Sequence, residues 1–315
     1  MQIVLSGALP EPHQARELLI HVEQKAPTLT RWLDQSDCQI HQIVTAEARC
    51  TALEAWQLHH AGFTAQPAQH LSAGLGPLLE KNPNHSDTAT QQATWLAELV
   101  HIAPSRDGAA LIPASALDIT EAESAELLAS SQQWFTDTVF NVALDSASHW
   151  QIEVPDSFVA GPASPTLVSY SAVNDWWEQD LATRPWRRLI NELQMFWFNH
   201  PVNQAREQAH KLPINSLWLV GGASRDQFTN LSGQHNYELY TDLAEAAARH
   251  DWGTWLEQLA GLERNLFAPL AKGNTPQLVL CGTDRYIQTQ TANPSLLQRL
   301  FNRTKSDWRK AWSPL

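Results

Sequence analysis

The sequence predicts an α/β fold, a mixed sheet flanked by helices and arranged in one domain or two lobes, and three observations carry that prediction. Short apolar runs bounded by turn residues, such as Gln2 to Leu5 and Gln277 to Cys281, read as buried strands. Longer stretches with apolar residues three and four apart, led by Leu189, Ile190, Leu193, Phe196 and Trp197, read as helices pressed on a core. Both kinds run through 315 residues of 43% hydrophobic content, enough to bury a large core.

In chain order, the strand Gln2 to Leu5 turns at Ser6 to Pro10 into a helix expected from about Pro12 to Leu33. Thr51 with Glu54, and Thr120 with Glu123, are capping boxes, each opening a helix, and Gly62 can close the first. Gly74, Gly76 and Pro77 punctuate a loop or short helix, and Lys81 to Thr90 reads as a mobile polar tract. Thr94 to Ile102 and Ala109 to Ile112 pair across a turn that holds Asp107, and His149 to Val154 makes a further strand.

Residues 155–166, rich in Pro, Gly, Ala and Ser, suggest the boundary between an acidic lobe, 1–155, and a second lobe, 156–315. Charge changes at the same place: residues 1–160 hold 6 Lys plus Arg against 19 Asp plus Glu, the remainder 15 against 14. Beyond it, Pro201 stops the first long helix near Asn199 and starts a second. Ser216 to Val220 reads as a strand ending in a turn at Gly221-Gly222. Tyr237 to Arg249 and Trp252 to Leu266 read as helices, the latter capped by Asp251. Pro294 to Trp312 reads as a terminal helix, apolar on one side and basic on the other. It suits an acidic partner, a membrane surface or, as is commoner, its own domain.

Composition sets limits on function. A net charge of −12 disfavours broad nucleic-acid binding, which needs a positive surface to displace counterions. Cys38, Cys50 and Cys281 form no CxxC pair, which suggests a reduced, cytoplasmic setting, and no run approaches a membrane span of about 20 residues. Most of the fourteen Trp residues, among them Trp32, Trp56, Trp95, Trp134 and Trp255, are expected to anchor helix packing.

The candidate site is His200, Asn203, Arg206 and Asn215, with Gly221 and Gly222 lending backbone amides. Arg206 presents a planar fork suited to phosphate or carboxylate, and the others are further donors that would converge near one strand end. The structural alternative is that His200 caps a helix, the two Asn residues satisfy backbone, and Arg206 forms an ion pair.

The run His200-Pro201-Val202-Asn203-x-x-Arg206, followed by Asn215 and Gly221-Gly222, resembles a segment of the archaeal-type cofactor-independent phosphoglycerate mutases, members of the alkaline phosphatase superfamily. Over most of its length the chain resembles an uncharacterised bacterial family described as phosphoglycerate-mutase-like or RpfE-type regulatory protein. The stretches IVLSGALP, TALEAW, AGLGPLL and ALDITEAE carry that resemblance. It implies an alkaline-phosphatase-like α/β fold, reduced in extent.

Mutase chemistry in that superfamily uses two metal ions held by Asp and His residues, beginning with an Asp after the first strand. Here the first strand ends in Ser6-Gly7, the first Asp is Asp34, and no Asp-His pair occurs. Asp284 is the carboxylate expected at a strand end. Ser224 lacks a G-x-S-x-G elbow, and Cys281 reads as core.

The sequence therefore suggests a mutase-like regulatory or scaffold protein without metal or other cofactor, binding a small anionic ligand or a protein partner. Two alternatives stay open: an active cofactor-independent mutase, and a pure interaction module linked through the family resemblance to DNA repair.

Overall fold

A computed structural model of the protein describes residues 1–82, 91–106, 108–155, 157–231, 236–291 and 307–314. Its strands are β1 (Gln2–Leu5), β2 (Ser36–Gln42), β3 (Ala93–Ser105), β4 (Gly108–Ile112), β5 (Asn141–Leu144), β6 (His149–Glu153), β7 (Ser216–Ser224), β8 (Glu238–Tyr240), β9 (Gln277–Cys281) and β10 (Arg285–Thr291). The fold is mixed α/β, with two sheets and flanking helices. The chain forms two compact units, one from residues 1–45 and 232–315 and the other from residues 46–231. Residues 155–166 thus lie inside the second unit, because the division follows strand pairing instead of the Pro- and Gly-rich composition.

The first unit is built on a mixed sheet in the order β2-β10-β9-β1-β8. β1 runs parallel to β8 and β9, whereas β10 is antiparallel to β9 and β2. All four residues of β1 are buried, as suits a strand with neighbours on both sides. The helix expected from Pro12 to Leu33 is two helices, Pro12–Lys25 and Pro27–Gln35. Pro27 has no N–H and displaces Ala26 to φ −133 and ψ 60, which ends the first helix. Ala26 has no capping oxygen to offer, so both carboxylate oxygens of Glu263 accept from Thr28 N at 3.2 Å in its place.

Three tryptophans bury their rings in this unit and still satisfy their N–H groups: Trp255 on Gly7 O, Trp312 on Ala15 O and Trp308 on Asp34. Of the terminal helix, residues 294–306 lie outside the described residues. Its last turn, Trp308–Trp312, docks Trp308, Ala311 and Trp312 on the first unit's own core, with Arg309 paired to Glu23 and Asp34. The helix expected from Tyr237 begins only at Ala244, because Glu238–Tyr240 pairs beside β1 as a strand. That tertiary pairing overrides local propensity. Among the described residues no helix is long and apolar enough to cross a membrane.

The second unit is antiparallel throughout. β3 is its spine, pairing with β4, β6 and β7, and β5 pairs with β6. Both capping boxes form, Thr51 with Glu54 on the helix Ala52–His60 and Thr120 with Glu123 on the helix Glu121–Thr136. The helix Arg184–Trp197 buries Trp186, Leu189, Ile190, Leu193 and Trp197, and Pro201 opens the next helix, Pro201–Gln208. Trp150 and Trp197 meet edge to face at 5.7 Å. Their indole N–H groups donate to Ser124 and Ser131, both on the helix Glu121–Thr136.

β7 does not stop at Gly221-Gly222; it runs on to Ser224, with an irregularity opposite Thr94 and Trp95. Both glycines have positive φ, +106 and +114. A Cβ on Gly221 would sit 2.4 Å from Thr94 O and 2.8 Å from Gly76 Cα, so the short helix Leu75–Leu79 crosses the strand backbone to backbone. Gly76 and Gly221 are spent on this crossing. Most of the tract from Lys81 to Thr90, and Asp107, lie outside the described residues.

Candidate functional site

The residues singled out in the sequence fall at opposite ends of β7. His200, Asn203, Arg206 and Asn215 surround its amino end, and Gly221 and Gly222 lie toward its carboxyl end. At the rise of a strand, Asn215 and Gly222 are about 20 Å apart. The four polar residues thus gather at one strand end, but it is the amino end, and the two glycines do not join them.

The four polar residues have buttressing work to do. His200 is the N-cap of Pro201–Gln208, its Nδ1 accepting from Val202 N at 3.2 Å. That role needs the neutral ring, and burial pushes the His200 imidazole below its ordinary value, with Glu126 pulling the other way. Asn203 donates to Trp197 O and Ile214 O and accepts from Ile214 N, tying the preceding helix to the chain entering β7. Asn215 then acts as one more rung of the sheet. Its Oδ1 accepts from Ile102 N at 2.8 Å and its Nδ2 donates to Ile102 O at 2.9 Å, as a peptide group would.

Arg206 is 1% exposed, and its fork faces the interior of the second unit. Nε donates to Leu212 O at 2.8 Å, Nη1 to Glu123 Oε1 at 2.9 Å and Nη2 to Leu117 O at 2.6 Å. Partial burial works against the Glu123 charge, but hydrogen bonds from Thr120 and the Arg206 guanidinium hold its carboxyl below the usual range. The ion pair is thus with Glu123, a capping-box residue on another helix.

In the first unit, the carboxyl ends of the parallel strands are where an α/β sheet offers a ligand position. The turn after β1 fills the space beside β9: Ala8 N and Leu9 N both donate to Cys281 O. Gly7, at φ +70, abuts Ala244 and Leu243 O. Asp284 pairs with Arg285 at 2.8 Å. A second strand-end carboxylate, the exposed Asp242 after β8, escaped sequence reading because its stretch was taken as helical. Burial pushes the Cys281 thiol up, which disfavours the thiolate. Among the described residues, no group of three or more His, Cys, Asp or Glu is placed to hold a metal ion.

Sequence reading also missed a carboxylate–imidazole pair, a buried Glu with a half-buried His, in the second unit. Glu98 Oε2 lies 3.3 Å from His149 Nε2, and Glu98 Oε1 accepts from Ala114 N. His101, on the other face of β3, directs Nδ1 to Pro213 O. Alternation along the strand separates Glu98 from His101, but nothing local announces His149, which arrives from β6 opposite Glu98.

No family model and no curated protein matches the chain. Among solved structures it is similar to the cofactor-independent phosphoglycerate mutase of Thermoplasma acidophilum DSM 1728, with a TM-score of 0.37 and 11% identity over 93% of this chain and 90% of that one. It is also similar to the PH0037 protein of Pyrococcus horikoshii, with a TM-score of 0.44 and 11% identity over 92% and 86%. Likeness this distant says nothing about activity.

Proposed function

We propose that the chain is a binding protein of regulatory or scaffold type, in which the HPVN-x-x-R segment serves as a brace. Arg206 carries this reading. The residue best suited to grip a phosphate is buried, and each nitrogen of its fork already donates to Glu123, Leu117 O or Leu212 O. Recruiting it for an anion would break contacts that hold two helices and the approach to β7 together. The strand ends of the first unit add support, since Ser6-Gly7 stands where the resembled superfamily places an Asp, and Asp284 is engaged by Arg285.

The test is thermal unfolding of the full chain with manganese, 3-phosphoglycerate and inorganic phosphate, together with an assay for interconversion of 2- and 3-phosphoglycerate. The expected result is no turnover and no phosphate-dependent rise in Tm; a ligand that binds only the folded state at a hundred times its Kd would add about 2.7 kcal/mol. Manganese-dependent turnover, or a phosphate-induced rise abolished by Arg206→Ala, would overturn the proposal.

A further inference from the structure

At the carboxyl end of β7, Gly222 opens onto a cavity of about 170 Å³ within the second unit, lined by Gln69, His70, Ser72, Trp95 and Phe158 among others. An engineered apolar cavity of about 150 Å³ holds benzene, so there is room here for one small ring system. Trp95 and Phe158 form an edge-to-face aromatic wall, centroids 5.7 Å apart. The space depends on glycine: a Cβ on Gly222 would approach the Trp95 ring to 2.7 Å.

The polar side chains of the lining leave acceptors and few donors. His70 Nδ1 lies 2.8 Å from Glu47 O, and a carbonyl only accepts, so Nδ1 carries the hydrogen and Nε2 of the neutral ring is an acceptor. Ser72 Oγ spends its hydrogen on Pro162 O and keeps its lone pairs. Gln69 accepts from Gln66 N and Gln227 Nε2 and donates one of its two amide hydrogens to Gly222 O. Among the described residues no Lys or Arg lines the cavity. Arg49, beside Gly161, commits Nη1 to Gly161 O and to Glu178 at 2.6 Å. An anion would find no cation among the described lining residues, and a ligand with only acceptors would have little beyond the second Gln69 amide hydrogen to bond.

We propose that this cavity binds a small, neutral aromatic heterocycle carrying an N–H donor, its ring against Trp95 and Phe158 and its N–H on His70 Nε2. The site is independent of the function proposed above, which concerns Arg206 and the phosphoglycerates.

Calorimetric titration of the full chain at pH 8 with indole and with benzofuran tests it, since the two share a shape and differ in the donor. Indole is expected to bind saturably and about tenfold more tightly than benzofuran, the worth of one hydrogen bond. His70→Phe keeps a ring against Gly161 and is expected to abolish the preference. Absence of saturable indole binding, or equal affinity for the two compounds in the unmodified protein, overturns the proposal whether or not the variant folds.

Discussion

Arg206 and Glu123 lie 83 residues apart in sequence and 2.9 Å apart in the fold, the guanidinium Nη1 donating to Oε1. Glu123 also closes the capping box of Glu121–Thr136, so one carboxylate both starts a helix and receives the brace from Pro201–Gln208. Arg206→Lys keeps the charge but lacks the fork for three separate acceptors, and is expected to cost about 2 kcal/mol. Arg206→Ala, which also strands the buried Leu117 carbonyl, is expected to cost about 3 kcal/mol or more. Urea unfolding monitored by circular dichroism measures both. If Arg206 instead served a ligand, both variants would unfold like the unmodified protein until phosphate was added.

The cap at His200 gives stability a pH dependence. Its folded-state pKa is depressed by burial, so its contribution is complete above the unfolded value of about 6.5 and is lost as pH falls through the folded one. His200→Asn keeps a capping side chain without an ionisable ring. Stability profiles of the two proteins are expected to be parallel above pH 7 and to diverge below about 6.5, with the unmodified protein falling faster. Parallel profiles down to pH 5 would remove His200 from the account.

Asn215 extends the β3–β7 ladder with a side chain. Asn215→Ala removes two hydrogen bonds to Ile102 and is expected to cost about 1–2 kcal/mol and to speed exchange of the Ile102 amide. Asn215→Asp retains the acceptor for Ile102 N and sets a charge beside Ile102 O, so it should protect that amide better than alanine does. Hydrogen exchange read at Ile102 distinguishes the two; equal exchange in both would mean the side chain is no rung.

Local rules carried the sequence reading as far as the relevant physics is local. The strands Gln2–Leu5 and Gln277–Cys281, the two capping boxes, the Asp251 cap and the buried stripe of Arg184–Trp197 follow from groups within a few positions of one another. The break at Ala26 was also legible, since Pro27 states it, but the apolar periodicity was allowed to run across it. What escaped depends on partners brought from afar. Arg206 finds Leu117 O, 89 positions away, and Glu98 faces His149 across β6. Sequence spacing identified Arg206 as a guanidinium with work to do, but not whether its acceptors would come from a ligand or from the chain.

The assignment of residues to the two units also fixes an order of events during synthesis. β1 is an apolar strand whose sheet neighbours, Glu238–Tyr240 and Gln277–Cys281, leave the ribosome only after all of residues 46–231 have been made. At about 5–20 residues per second, that interval is on the order of tens of seconds. By its end the inserted unit has its whole sequence available and the flanking unit does not. The opening residues thus wait as an unpaired sticky edge, and shielding them in that interval falls to chaperones or to the speed with which the inserted unit folds.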